Sequence, residues 1–384
     1  MKMDWLNQEL ADIRNKGLYR RLKTIQSAQT PRIMKNEREL ILLSSNNYLG
    51  LTDHPKVKKA AIDAIAEYGT GAGGSRLTSG NTDLHDQLEE KIAQFKDTEA
   101  ALVFSTGYMA NTGTIPAIMD KGDLILSDEL NHASIIDGCR LSHAEVKVYS
   151  HRDASCIEKI LQSSRHQKKL IVTDGIFSMD GDITPLPEIK EIAEKHDAMV
   201  MVDDAHATGV LGKHNRGTAD HFNLNVDINM GTMSKALASM GGYVAGSYEL
   251  IDYLRNRARS FIYSTALSPP AVAAAITAID VIEKENPARK LWNNVALYRK
   301  GLEDMGFSIN SNTQIIPLMT GDSRRTLDAA ALLEKQGVFA LGIRPPTVPD
   351  GKGRIRTSLM ATHSRKDIND ALFAIGVIKK KFGF

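Results

Sequence analysis

The sequence predicts an α/β protein with a mostly parallel central sheet flanked by helices and a smaller C-terminal α+β domain. Three observations predict it. From about residue 100, short apolar runs alternate with amphipathic stretches in a βα rhythm. Those runs lack polar–apolar alternation, which implies strands covered on both faces. Beyond Pro269-Pro270 the rhythm gives way to a different pattern.

Taken in order, Trp5 to about Ile25 has helical spacing, with Leu6, Leu10, Ile13 and Leu18 recurring. After Pro31 the chain is expected to be extended. Leu40-Ile41-Leu42-Leu43 reads as a buried strand ending at the turn residues Ser44-Ser45-Asn46-Asn47. Further strands are expected at Ala101 to Phe104, Leu124 to Leu126, Val146 to Tyr149, Leu170 to Thr173, Ala198 to Val202 and Asp227 to Met230. Leu186, Ile189, Ile192 and Ala193 form a helical stripe, and a helix is expected from Ala271 to Glu283. The last part has two strand candidates, Gln314 to Leu318 and Arg354 to Leu359. The expected division is an N-terminal helical segment (1–40), a large domain (41–280) and a small C-terminal domain (281–384).

A chain of 384 residues with 42% apolar and 24% charged residues is an ordinary globular composition. The net charge of +2 gives no reason to expect a nucleic acid or an anionic membrane as partner. Lys379-Lys380-Lys381 reads as a solvated helix face. Cys139 and Cys156 form no CxxC pair and no metal-ligand spacing, so no metal is expected. Reduced cysteines, and no apolar stretch of signal-peptide length at the start, fit a cytoplasmic location. The most apolar helical stretch, Ala271 to Ile282, is too short for a bilayer and contains Asp280.

In an open parallel sheet, ligands bind beyond the carboxyl ends of the strands. Asp174, Asp203 and Lys235 fall at such ends, spaced by about 30 residues, one βαβ unit each. Lys235 follows an apolar strand in Gly231-Thr232-Met233-Ser234-Lys235-Ala236. A lysine among small uncharged neighbours loses solvation, and such lysines form Schiff bases. A plain surface lysine is the other reading. Asp203 ends a buried strand and needs a partner. A pyridinium nitrogen would serve, and so would a structural Asp-His pair with His206 at a helix cap. Ser105-Thr106-Gly107-Tyr108-Met109-Ala110-Asn111 is a strand–turn–helix junction of the kind that holds phosphate. His132, in Asn131-His132-Ala133-Ser134, is a lone imidazole with a structural and a catalytic reading.

Gly69-Thr70-Gly71-Ala72-Gly73-Gly74 matches the dinucleotide fingerprint and motivates an NAD-dependent oxidoreductase as an alternative. The fingerprint needs a preceding strand, whereas Ala60 to Tyr68 is helical by pattern. The loop therefore reads as a place of close backbone approach.

The sequence resembles the α-oxoamine synthases, fold-type I pyridoxal-phosphate enzymes, from about Leu18 to His363. The resemblance is carried by Ser44-Ser45-Asn46-Asn47-Tyr48-Leu49-Gly50, Gly73-Gly74-Ser75-Arg76, Asn131-His132-Ala133-Ser134, Phe177-Ser178-Met179-Asp180-Gly181, Val202-Asp203-Asp204-Ala205-His206 and Thr232-Met233-Ser234-Lys235, in that order. It implies a fold-type I aminotransferase-like architecture in which residues 41–280 bind pyridoxal 5'-phosphate. Lys235 is implied as the Schiff-base lysine and the base at Cα. Asp203 is implied to pair with the pyridine nitrogen, His206 and Ser178 to contact the ring oxygen, and His132 to stack on the ring. Gly107, Tyr108 and Thr232 are implied to hold the phosphate region, with Ser264 and Thr265 offered from the second subunit of a homodimer. Arg356 with Asn47 would take the amino-acid carboxylate, for which a guanidinium fork suits. Arg20 (or Arg21), Arg344 and Thr347 fall where the family binds its acyl substrate.

Ile343-Arg344-Pro345-Pro346-Thr347-Val348-Pro349 is similar to the branch that condenses L-alanine with a pimeloyl thioester, on coenzyme A or acyl carrier protein. A glycine-using member with acetyl-CoA or succinyl-CoA is the nearer alternative. A non-catalytic dimer on the same fold would require a missing lysine or aspartate, and Lys235 and Asp203 are both present. Met360 departs from the small polar residue expected there, with consequences for packing of the small domain.

Overall fold

The computed structural model describes residues 3–384. Among these, the strands in chain order are β1 (Arg32–Lys35), β2 (Arg38–Leu42), β3 (Ala100–Phe104), β4 (Leu124–Asp128), β5 (Glu145–Tyr149), β6 (Lys169–Asp174), β7 (Met199–Asp203), β8 (Ile228–Thr232), β9 (Gly242–Gly246), β10 (Ile315–Gly321), β11 (Val338–Phe339), β12 (Leu341–Ile343) and β13 (Gly353–Ser358). The chain divides into two units. The larger is Asn46–Leu291, and the smaller joins the chain up to Ser45 with Trp292–Phe384.

The larger unit is built on a seven-stranded sheet in the order β3-β9-β8-β7-β6-β4-β5. Pairings among β4 to β8 are parallel, and β9 runs antiparallel to both β8 and β3. Successive side chains of a strand face opposite ways. Ile125, Leu170, Val172 and Met201 thus pack in one core with Ala110, Ile115 and Ile135 of the helices. Leu124, Leu126, Ile171, Val200 and Val202 pack in the other with Ile157, Leu186 and Ile189. Both faces are covered, which is why the strands read as unbroken apolar runs.

Strand β9 had no counterpart among the expected strands because glycines bracket it. The first, Gly242, crosses the start of helix Gly107–Ile118 so closely that a Cβ would lie 2.6 Å from the Gly107 Cα. The Gly69 to Gly74 loop follows helix Pro55–Tyr68, with no strand before it, and so lacks the dinucleotide-binding context.

The smaller unit holds two three-stranded sheets, β1-β2-β11 and β10-β13-β12. Strand β2 pairs with β11 about 300 residues later in the chain, with Ile41 facing Val338. The N-terminal segment therefore belongs to this unit, where the sequence suggested a separate segment ending at 40. The expected boundary at 280 falls inside helix Pro269–Glu285, which stays whole in the larger unit. The opening helix is shorter than its apolar spacing predicts. It spans Trp5–Asn15 and stops as Gly17 takes a φ of +66°, which favours glycine. Met360 is fully buried with Ile33, Leu40, Leu42 and Phe339, so the departure from a polar residue is absorbed as core. No helix among the described residues is long and apolar enough to cross a membrane.

Candidate active site

Parallel pairing brings the carboxyl ends of β6, β7 and β8 to one edge. Asp174 and Asp203 are register partners across β6 and β7, and Asp203 faces Met230 on β8. Lys235 follows β8 by three residues. The spacing read from the sequence thus places these groups along one sheet edge.

The Lys235 Nζ lies 3.0 Å from His206 Nε2. On the far side of that ring, Nδ1 is 2.6 Å from the Tyr48 hydroxyl, which donates to Asn46 Oδ1 at 3.1 Å. His206 thus stands between the Lys235 amine and the Tyr48 hydroxyl, with one ring nitrogen toward each. His206 is buried. Tyr48 lies within the Ser44 to Gly50 motif, where no spacing or residue-type signal marks its hydroxyl as a partner of His206.

Asp203 is buried, and each carboxylate oxygen accepts from the protein. Oδ1 takes the Ala205 amide at 2.9 Å, and Oδ2 takes Asn111 Nδ2 at 2.8 Å. Asn111 also donates to Ser134 Oγ at 2.9 Å, which lies 2.7 Å from His132 Nδ1. The His132 amide donates to Asp174 Oδ2 at 2.8 Å. His132 is thereby tied to both strand-end carboxylates. Burial lowers its pKa, and the Lys235 charge adds to that, while Asp203 opposes it. Asp174 is the reverse case: burial and the Asp203 charge push its carboxyl well above the ordinary value.

Thr106 caps helix Gly107–Ile118 by accepting from the Met109 amide at 3.0 Å. A Cβ on Gly107 would sit 3.3 Å from the Thr232 side chain, so glycine keeps the helix start open beside Thr232. Thr232 Oγ1 donates to the Gly241 carbonyl at 2.8 Å. Tyr108 is exposed, and its hydroxyl donates to Asp137. Ser178 is half-buried in the turn after Phe177. The same turn contains Asp182, which His151 bridges to Asp128 at 2.8 and 3.0 Å. Ser264 Oγ contacts Met109 Sδ at 3.6 Å, and Ser105 Oγ donates to the Thr265 carbonyl at 2.8 Å. Asn47 Nδ2 donates to Thr52 Oγ1 at 2.7 Å.

In the smaller unit, Arg356 is buried on β13. Arg344 donates to the carbonyls of Gly17 and Tyr19, both at 3.0 Å, and Arg20 donates to Thr347 Oγ1 at 3.1 Å. The structure thus brings Arg20, Arg344 and Thr347 together, and they line a groove of about 700 Å³ with Arg21 and Ile343. Another cleft of about 740 Å³, beside Arg216 and Asp227, lies at the opposite, amino-terminal ends of the larger unit's strands, away from Lys235.

An amine, a buried carboxylate with further acceptor capacity and the N-terminus of a three-turn helix meet at one sheet edge. This donor set fits the aldehyde, the ring nitrogen and the phosphate of pyridoxal phosphate in turn.

Comparison with known proteins agrees. The profile of the family "Aminotransferase class I and II" matches residues 38–375. An 8-amino-7-oxononanoate synthase of Thermoanaerobacter pseudethanolicus is 49% identical over 99% of this chain and 98% of its own length. One of Geotalea daltonii is 50% identical over 99% of each. A solved serine palmitoyltransferase from S. paucimobilis, with a bound pyridoxal phosphate–myriocin aldimine, superposes with a TM-score of 0.94. It is 31% identical and matches 100% of this chain and 98% of that one.

Proposed function

This chain belongs to the class I and II aminotransferase family, and from that premise we propose that it acts as an 8-amino-7-oxononanoate synthase in biotin biosynthesis. It is a pyridoxal-phosphate-dependent acyltransferase that condenses L-alanine with a pimeloyl thioester, releasing carbon dioxide and free thiol. The observation that carries the reading is the meeting of Lys235, His206 and Asp203 at the carboxyl edge. The names borne by relatives near 50% identity over nearly the whole chain support the choice of substrates.

When bound, pyridoxal phosphate supplies a carbonyl for amine capture and an electron sink for the alanine Cα. Lys235 is the residue assigned to that carbonyl. Its contact with His206 Nε2 at 3.0 Å holds the amine beside that ring. The Lys235 amine would also serve as the base for the Cα proton. Asp203 holds a proton at the ring nitrogen, and its two backing hydrogen bonds keep the carboxylate from turning. His132 would pack against the cofactor and polarise the thioester carbonyl. Gly107, Tyr108 and Thr232 would hold the phosphate end, and Ser178 would serve the ring oxygen. Arg356 and Asn47 take the alanine carboxylate. Arg20, Arg344 and Thr347 take the acyl substrate along the groove that they line.

The reading includes a cytoplasmic homodimer in which Ser264 and Thr265 serve the phosphate of the partner. Sedimentation of the loaded protein tests the dimer. Mixed dimers of Lys235→Ala and Thr265→Ala chains should regain activity at half of their sites. The central test is purified protein with L-alanine and pimeloyl-CoA, then with pimeloyl-loaded carrier protein, following carbon dioxide. A visible band of lysine-bound cofactor that borohydride removes is expected. A Lys235→Ala protein with full turnover would overturn the assignment.

A further inference from the structure

We propose that Ser134 and Asn111 are positioning residues that fix the tautomer of His132, keeping its proton on Nε2 and making that nitrogen a hydrogen-bond donor. A carboxylate only accepts, so the Asn111 atom 2.8 Å from Asp203 Oδ2 is the amide nitrogen. The second hydrogen of that nitrogen points to Ser134 Oγ at 2.9 Å. The serine oxygen is therefore an acceptor there, and its own hydrogen goes to His132 Nδ1 at 2.7 Å. The Ser134 backbone N–H, which can only donate, lies 3.3 Å from the same Nδ1 because His132 caps helix Ala133–Leu141. Two donors converge on Nδ1, so it carries the lone pair. A neutral imidazole then has its hydrogen on Nε2.

Two observations support the relay. Turning the Asn111 amide over would aim its oxygen at a carboxylate, and in the observed orientation that oxygen is buried without a hydrogen-bond partner among the described residues. The orphan is what the orientation toward Asp203 costs. The lowered pKa of His132, due first to burial and then to the Lys235 charge, agrees with a neutral ring.

The consequence rests on the function proposed above. A Nε2–H donates to a carbonyl oxygen, whereas a bare nitrogen repels it. The relay therefore makes His132 an electrophilic donor rather than a base. It also ties the imidazole to Asp203, so one hydrogen-bonded chain orients both groups assigned to the cofactor ring.

The first test is ¹⁵N NMR of histidine-labelled protein, with and without pyridoxal phosphate, the His132 signals being identified by their loss in His132→Phe. The expected pattern is a protonated Nε2 and an unprotonated Nδ1. A proton on Nδ1 overturns the proposal whatever reaction the protein catalyses, and a protein without synthase activity still reports its tautomer. The second test is Ser134→Ala. It should lower kcat about tenfold with KM for alanine within about twofold, and Ser134→Thr should restore kcat. In a His132→Phe background Ser134→Ala should add nothing. An equal loss in that background would mean that Ser134 acts on the structure and not through His132.

Discussion

Replacing Lys96 with Met should destabilise the larger unit by about 3 kcal/mol. The Lys96 ammonium lies 2.8 Å from Asp204 Oδ2, with side-chain exposures of 2% and 1%. Burial is the largest single influence and opposes the lysine charge, yet Asp204, together with Tyr243 and Asp220, holds the pKa of Lys96 above the ordinary value. Met keeps most of the stem, so packing changes little and the lost partner dominates. Breaking a buried pair from one side costs about 3 to 5 kcal/mol, because the other charge stays in place without compensation. The lower end applies here. Asp204 keeps the Thr218 hydroxyl at 2.7 Å and the Thr218 amide at 3.1 Å. The assay is urea unfolding of the cofactor-free protein, followed by circular dichroism. A Lys96→Met, Asp204→Asn double variant should recover part of the loss, since it buries no lone charge. A single variant within about 1 kcal/mol of the parent, or a double variant less stable than the single one, would refute the reasoning.

Three further outcomes are expected. His151 is partly buried, yet Asp128 and Asp182 on either side raise its pKa to about 9. Its folded pKa exceeds the unfolded value of about 6.5, so the stabilisation is complete below that pH and fades as pH rises through about 9. Urea midpoints compared at neutral and alkaline pH should show the loss, and His151→Phe should flatten that part of the profile. Gly242→Ala would set a Cβ 2.6 Å from the Gly107 backbone and should destabilise by about 2 kcal/mol in thermal unfolding, with weakened retention of pyridoxal phosphate on dialysis. Met360→Ala would open a cavity among Ile33, Leu40, Leu42 and Phe339 and should cost about 3 kcal/mol, whereas Met360→Leu should cost under about 1.5 kcal/mol.

The legible part of the site is the part set by periodicity. Asp174, Asp203 and Lys235 could be placed on one edge because each ends or closely follows an apolar run and parallel strands repeat at a regular length. Strand β9 was hidden because its Gly242 answers to a close crossing of another element, which leaves no local pattern. The end of the first helix is a different case. Gly17 was a readable stop signal, and the apolar spacing that continued to Leu18 outweighed it. The gathering of Arg20 with Thr347 spans 327 residues, and only the family resemblance suggested it. Asn111 reaches Asp203 across 92 residues, and no spacing rule links a helix amide to a particular strand-end carboxylate. The same holds for Lys96 and Asp204, which are 108 residues apart.

The two adjacent aspartates show how the sheet divides this labour. Asp203 is the last residue of β7, and the amide of Asp204 still donates to the Met230 carbonyl at 2.8 Å, so the extended backbone carries on through both. Neighbouring side chains on such a backbone face opposite ways. Asp203 accordingly turns to Asn111, on the face where the helix starting at Gly107 packs, while Asp204 turns to Lys96 and Thr218. Each buried carboxylate needs a compensating partner. Asp204 has its partner within the fold, an ammonium that holds it permanently. Among the described residues Asp203 receives only neutral hydrogen-bond donors, an amide side chain and a backbone N–H. That asymmetry is the physical reason to place the protonated ring nitrogen at Asp203 and not at its neighbour: one carboxylate is already neutralised, and the other is left for a cation that arrives with the cofactor.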